Sequence, residues 1–178
     1  MKIITNKNKK EEEILRKKTQ EFKFTDKGII IGKQIITRKE LNTLINSMRD
    51  EMRKANGVGL SANQIGLSYR LFVAEVPDHQ GNQKFYAILN PKIEKIEQDS
   101  VTTLNEGCLS VPESYGLIDR ATQVKISGLT KTGKSIKIKA WGLLAQVFQH
   151  EIDHLDGKLF IDKAKEIHKT TKLEIDKD

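Results

Sequence analysis

The segment His150-Glu151-Ile152-Asp153-His154 constrains this chain more than any other. Its histidines are four residues apart, and on a helix that spacing puts two side chains on one face, where both imidazoles can reach a single metal ion. A helix is predicted there over about residues 142–154, carrying Leu143, Leu144, Val147, Phe148 and Ile152. Val147 and Phe148 draw that helix into a core, and histidines carried into a core need polar partners. Glu151 projects about 100° around the helix from each neighbour, where it can touch a water instead of the ion. Short patterns also recur by chance, and two surface histidines on an ordinary helix would meet the same five letters.

A third ligand has one obvious source. Cys108 is the only cysteine, which excludes an intrachain disulfide and fits a reducing compartment. It sits in Glu106-Gly107-Cys108-Leu109-Ser110, where Gly107 permits a close backbone approach. A thiolate and two imidazoles make three protein ligands for zinc or iron(II) with a fourth position open, the pattern of a catalytic site. The competing reading is a buried thiol acting as a small hydrophobe, and sequence spacing alone does not bring Cys108 to His150. A further segment, Gly57-Val58-Gly59-Leu60-Ser61-Ala62-Asn63-Gln64, lacks the Lys-Ser/Thr ending of a phosphate loop. The Gln64 amide there suits a developing oxyanion; equally, the segment reads as a helix C-cap and turn with Gln64 on the surface.

Around these segments the pattern is α+β: small, mainly antiparallel sheets packed around a central helix that bears the histidines, with an N-terminal helix and, after Phe160, a charged tail that reads as a C-terminal helix or a frayed end. Thr37 and Glu40 form a capping box, and Leu41, Leu44, Ile45, Met48 and Met52 then fall on one helical face before Asn56-Gly57 ends it. Residues 28–36 read as a β segment. Hairpins are predicted from 69–76 with 84–89, and from 124–129 with 135–140. A length of 178 residues points to one domain over 1–178, with 1–22 as surface structure or a loosely held arm and 163–178 as a charged tail. The net charge of +7 favours an anionic partner, but the excess is lysine scattered along the chain, so composition argues for no specific nucleic acid. No apolar run approaches a membrane span, and the Lys-rich start lacks the apolar stretch of a secretory signal.

Taken together, GVGLSANQ, EGCLS and HEIDH, in that order, resemble the peptide deformylase family, over about residues 40–162 and including Asn90-Pro91 and HEIDHLDGKLF. The resemblance implies a cytoplasmic hydrolase that removes the N-formyl group from the starting methionine of new polypeptides and releases formate. It implies one divalent metal held by Cys108, His150 and His154, Fe2+ in the cell with Zn2+, Ni2+ or Co2+ accommodated, and a metal-bound water as nucleophile. Glu151 would be general base and acid, with Gln64 and the Leu109 N–H as oxyanion donors. The methionine end would lie against Gly57, Val58, Gly59, Leu104, Leu143 and Val147, while Glu106 and Arg120 pair to brace the cysteine loop. Partners would be the N-formylmethionyl peptide and, transiently, the ribosome.

The chain departs from the family pattern in places. Ser61 and Asn63 stand where Ala and Pro or Thr are commoner, a change of size too small to disturb activity, and Gln146 stands where many members are apolar. The start has only a faint echo, Glu13-Ile14-Leu15-Arg16, of the family's usual opening. Two other readings compete: a metallopeptidase using the same histidine pair, and a catalytically silent, basic ribosome-associated module. Cys108 argues against the first, since those enzymes take Glu or His as third ligand; the complete residue set argues against the second.

Overall fold

The computed structural model describes residues 1–96 and 101–169. Along the chain lie α1 (Lys9–Leu15), β1 (Phe22–Thr25), β2 (Gly28–Ile31), β3 (Gln34–Ile36), α2 (Arg38–Lys54), β4 (Gly59–Ser61) and a 3-10 turn at Ala62–Ile65. Then come β5 (Leu71–Pro77), β6 (Gln83–Ile96), β7 (Val101–Cys108), β8 (Val111–Ala121), β9 (Gln123–Leu129), β10 (Ser135–Trp141), α3 (Gly142–Leu155) and β11 (Glu166–Lys169). They form three sheets in the orders β1-β2-β3, β10-β9-β6-β5-β4 and β11-β8-β7, and every ladder between named strands is antiparallel. This is the α+β arrangement expected from the sequence. No helix among the described residues is long and apolar enough to cross a membrane.

The central sheet explains how two helices reach one site. In β5 the residues from Leu71 to Val76 are all buried, which requires cover on both faces. Leu71 and Val73 pack with Leu41, Ile45, Met48 and Met52 of α2. Phe72, Ala74 and Val76 point the other way, onto Ala145, Phe148 and Ile152 of α3. Each fully buried side chain of this size contributes about 1.5–3 kcal/mol, so α3 is fixed along its length by the strand beneath it. The Thr37–Glu40 capping box forms as predicted, with the Glu40 N–H 3.1 Å from Thr37 Oγ1 and the Thr37 N–H 2.7 Å from Glu40 Oε2. The helix ends as Asn56 turns to a left-handed φ of 55°.

At the C-terminal end the helical expectation needs correction, and at the N-terminal end the structure shows surface structure tied down at a few points. After the turn at Phe160–Asp162, the described tail is not helical: β11 adds to the free edge of β8, pairing Glu166 with Leu117 and Lys169 with Ser114. The edge of the β7–β8 hairpin offers unpaired N–H and C=O groups, and a strand satisfies them where a helix would not. Residues 170–178 of the charged tail lie outside the described residues. At the other end, the first 22 residues are anchored. Asn8 caps α1 by accepting from the Lys10 and Glu11 N–H groups, and Leu15 is wholly buried in a third apolar cluster with Ile4, Val111, Ile118, Leu159 and Phe160.

Candidate metal centre

α3 carries its histidines toward the β7–β8 hairpin. On one face of the helix His150 Nε2 and His154 Nε2 lie 3.2 Å apart. Cys108, where β7 ends, places its Sγ 3.1 Å from His154 Nε2. The three atoms all lie within 4.8 Å of one another. Spacing could not join Cys108 to the helix; the hairpin does.

The backing of the site is a chain of charges. His150 Nδ1 lies 3.0 Å from Glu106 Oε2. Arg120 grips the same carboxylate with both arms of its fork, Nε to Oε1 at 2.8 Å and Nη2 to Oε2 at 3.0 Å. Its remaining nitrogen donates to Asp153 Oδ2 at 2.6 Å, and Lys163 Nζ completes the chain on Asp153. Burial works to raise the Glu106 carboxyl, but the bonds from His150 and Arg120 outweigh it and hold the group at about 2. A carboxylate accepting from Nδ1 orients the His150 ring and aims its Nε2 edge toward Cys108 and His154.

That arrangement fits a cation. Burial would raise the Cys108 thiol, yet the neighbouring His154 imidazole and the bonds to both rings bring it well below its ordinary value. Burial likewise works to lower His150, and its bonds to Cys108 and Glu106 carry it well above. The thiolate is thus in the form a metal needs. One soft anion and two imidazole nitrogens aimed at a common point are the ligand types of zinc and iron(II) sites. The group could hold a metal.

Beside it, Glu151 is buried, and Ser61 Oγ donates to its Oε2 at 2.6 Å. Burial raises this carboxyl above its ordinary value against the pull of both imidazoles and the Ser61 hydroxyl. Gly59 runs directly past it: a Cβ there would stand 2.3 Å from Glu151 Oε1, so a larger residue would displace the carboxylate. Gln64 is buried too, which removes the surface-turn reading. Its Oε1 accepts from the Ser61 N–H at 2.8 Å, and its Nε2 lies 3.2 Å from Ser110 Oγ and 3.6 Å from Cys108 Sγ.

These groups open into a cleft of about 580 Å³, walled by 55–59 after α2, by 105–109 and 111–115 of the hairpin, and by one face of α3. Gly57, Val58, Gly59, Gln64, Glu106, Cys108, Leu109, Leu143, Val147, His150 and Glu151 all line it, as does Gln146. His154 and Arg120 sit behind, buried. Leu104 does not line it. It pairs with Ile118 four residues back along β7 from Cys108, a distance of about 13 Å at the usual rise of a strand. Asp153 and Ser110 carry no role in the sequence reading, and Ser61 and Asn63 enter it only as small residues, yet all four bond to the groups of the site. The Asp153 signal was available, since a carboxylate on a core-facing helix must find a cation.

A family model described as polypeptide deformylase matches residues 2–170. The peptide deformylase of Halothermothrix orenii is 46% identical over 132 residues, 74% of this chain and 82% of the relative. That of Syntrophobacter fumaroxidans is 37% identical over 154 residues, 86% of this chain and 82% of the relative. Among solved structures, the peptide deformylase of Thermotoga maritima superposes with a TM-score of 0.77 at 31% identity, covering 93% of this chain and 97% of that one. The peptide deformylase from Legionella pneumophila gives 0.75 at 39% identity, covering 92% and 85%.

Proposed function

Because the chain belongs to the polypeptide deformylase family and is a hydrolase that removes the N-formyl group from nascent peptides, we propose how its residues divide that reaction. The observation that carries the proposal is the meeting of the single thiol with the helical histidine pair, beside a buried carboxylate at the wall of a cleft.

Cys108, His150 and His154 would hold one divalent ion, Fe2+ in the cell, with Zn2+, Ni2+ or Co2+ also accommodated. When bound, such an ion supplies Lewis acidity, which brings the pKa of water to roughly 7 and polarises a carbonyl. Glu151 is the base that takes the proton from the attacking water and later hands it to the departing amine. Its Oε2 is engaged by Ser61, which leaves Oε1 for that exchange. The Gln64 amide and the Leu109 N–H donate to the formyl oxygen as charge develops on it. Gly57, Val58, Gly59, Leu143 and Val147 receive the methionine end, with Gln146 adding an amide to an otherwise apolar wall. Glu106 and Arg120 hold the hairpin and the His150 ring in register.

We assign the activity to the cytoplasm and to one catalytic domain over 1–178, with the N-formylmethionyl peptide as substrate. The net charge of +7 supports a transient ribosome contact, and the scatter of its lysines along the chain argues against specific nucleic-acid binding. The test is formate release from a formyl-Met peptide by the metal-reconstituted protein, against Glu151→Gln. Glu151→Gln should keep one metal per chain and bind the peptide, while kcat falls by about 10²–10⁴. Loss of metal from that variant, or near-parent turnover, would remove Glu151 from the role.

A further inference from the structure

Ser61 ends β4 with no exposed surface, and its backbone is fixed by register against Phe72 of β5. A buried hydroxyl must find an acceptor. Both acceptors that Ser61 Oγ meets belong to one residue: Glu151 Oε2 at 2.6 Å and the Glu151 carbonyl oxygen at 3.0 Å. A hydroxyl has one proton, and the shorter contact to the more charged acceptor takes it. The same residue's N–H donates to Gln64 Oε1 at 2.8 Å, which settles the amide so that its Nε2 faces Cys108 and Ser110.

We propose that Ser61 is a positioning residue that holds Glu151 and Gln64 in register, the carboxylate through its hydroxyl and the amide through its backbone N–H. The inference rests on the reading of Glu151 as the base. The last torsion of a glutamate side chain is broad and roughly two-fold, so helix geometry brings the carboxylate to the cleft without choosing its rotation. The Ser61 hydroxyl chooses it, directing Oε1 past Gly59. Asn63 reinforces the same joint: its Nδ2 donates to the His154 carbonyl at 2.6 Å, so the turn bearing Gln64 and the end of α3 are tied together. Ser61 and Asn63 thus each add a hydrogen bond to the metal-bearing helix, beyond the small size for which the sequence weighs them.

The experiment is a cycle of Ser61→Ala, Glu151→Gln and the double variant, each as nickel-loaded holoenzyme. Ser61→Ala should keep one metal per chain and its KM within two-fold of the parent, while kcat falls roughly 10–100-fold, the usual effect of removing a group that orients an active-site residue. In the Glu151→Gln background the same change should cost less than two-fold, since the group it orients is no longer a base. A crystal structure of Ser61→Ala should show the Glu151 carboxylate rotated or in more than one orientation. A kcat within two-fold of the parent overturns the proposal, as does a loss that falls on metal content or an undiminished loss in the double variant. Near-parent turnover by Glu151→Gln alone overturns it differently, by removing the base assignment beneath it.

Discussion

α3 and the first 22 residues meet where Thr19 bonds to Leu155, yet they are specified in opposite ways. The helix declares itself locally: its apolar period, its histidine spacing and its burial follow from 14 consecutive residues. The N-terminal stretch is Lys- and Glu-rich and reads as surface, and most of its residues are indeed exposed or half-buried. What places it is a handful of groups that meet distant partners. The Ile4 N–H donates to the Gln64 carbonyl and the Asn6 N–H to the Ser110 carbonyl, both at 2.9 Å. Thr19 donates to the Leu155 carbonyl from its N–H and its hydroxyl, and Leu15 is sealed in the core. Average composition describes what a segment shows to water; its anchors are set by a few buried contacts.

The largest effect should separate the two regions by kind. His154→Ala removes a ligand from α3 and should abolish stoichiometric metal and formate release together. Under saturating metal it should also forfeit the ligand-linked stability, about 4 kcal/mol for an ion at a thousand times its dissociation constant. Metal analysis and calorimetry with and without added nickel check this. A His154→Ala protein that still binds one metal per chain would put the centre elsewhere.

Leu15→Ala should act on stability alone. Deleting a fully buried leucine costs about 2–5 kcal/mol, so denaturant midpoints should drop while kcat of the folded fraction stays near the parent's. A loss under about 0.5 kcal/mol would return the N-terminal stretch to the loosely held arm its composition suggests.

Legibility follows the same divide. The α2 capping box, both central hairpins and the histidine helix were readable because each rests on neighbours within a few residues. Cys108 is a candidate by chemistry and by resemblance, but its meeting with His154 depends on the β7–β8 hairpin; β7 alternates in burial, yet its letters VTTLNEGC do not alternate apolar with polar. Leu104 falls outside the cleft for that reason: the register of β7 decides which of its residues reach it. β11 was hidden because it forms only where β8 offers it an edge. Ser61 reads in the sequence only as a small residue, because the acceptor for its hydroxyl lies 90 residues away on α3.

Gly157→Ala tests whether the two regions behave as one unit. Gly157 follows α3 at a φ of 76°, and a Cβ there would stand 2.2 Å from the Arg16 carbonyl oxygen at the end of α1. Strain of this kind costs about 1–3 kcal/mol, and the clashing atom is backbone, which has little room to yield. Combined with Leu15→Ala the loss should be less than additive, because the first change already loosens the joint that the second damages. Strict additivity would mean that the N-terminal stretch and the end of α3 open independently.

The smallest effects should come from charge, and they sharpen the claim that apolar and backbone anchors, not ion pairs, hold the N-terminal stretch. Two of its pairs, Lys2 with Glu11 and Lys7 with Glu113, keep their lysines in solvent, where such contacts contribute little. Lys7→Ala should therefore leave stability within about 0.5 kcal/mol of the parent, and a loss as large as that of Leu15→Ala would reverse the comparison. Glu75, outside both regions, shows what a better-held charge does. Hydrogen bonds from Arg53 and then Arg49 of α2 hold it at about 2, below its ordinary value of 4.5, against a smaller upward push from burial. A carboxyl lowered on folding stabilises the folded state above its unfolded pKa, and that stabilisation is lost as pH falls through its folded value. Glu75→Gln should then be less stable than the parent at pH 7, with the gap closing between about 4.5 and about 2. Urea unfolding of both proteins across that range measures it. A gap that stays constant down to pH 2 would mean that Glu75 acts through shape and hydrogen bonding rather than through its charge.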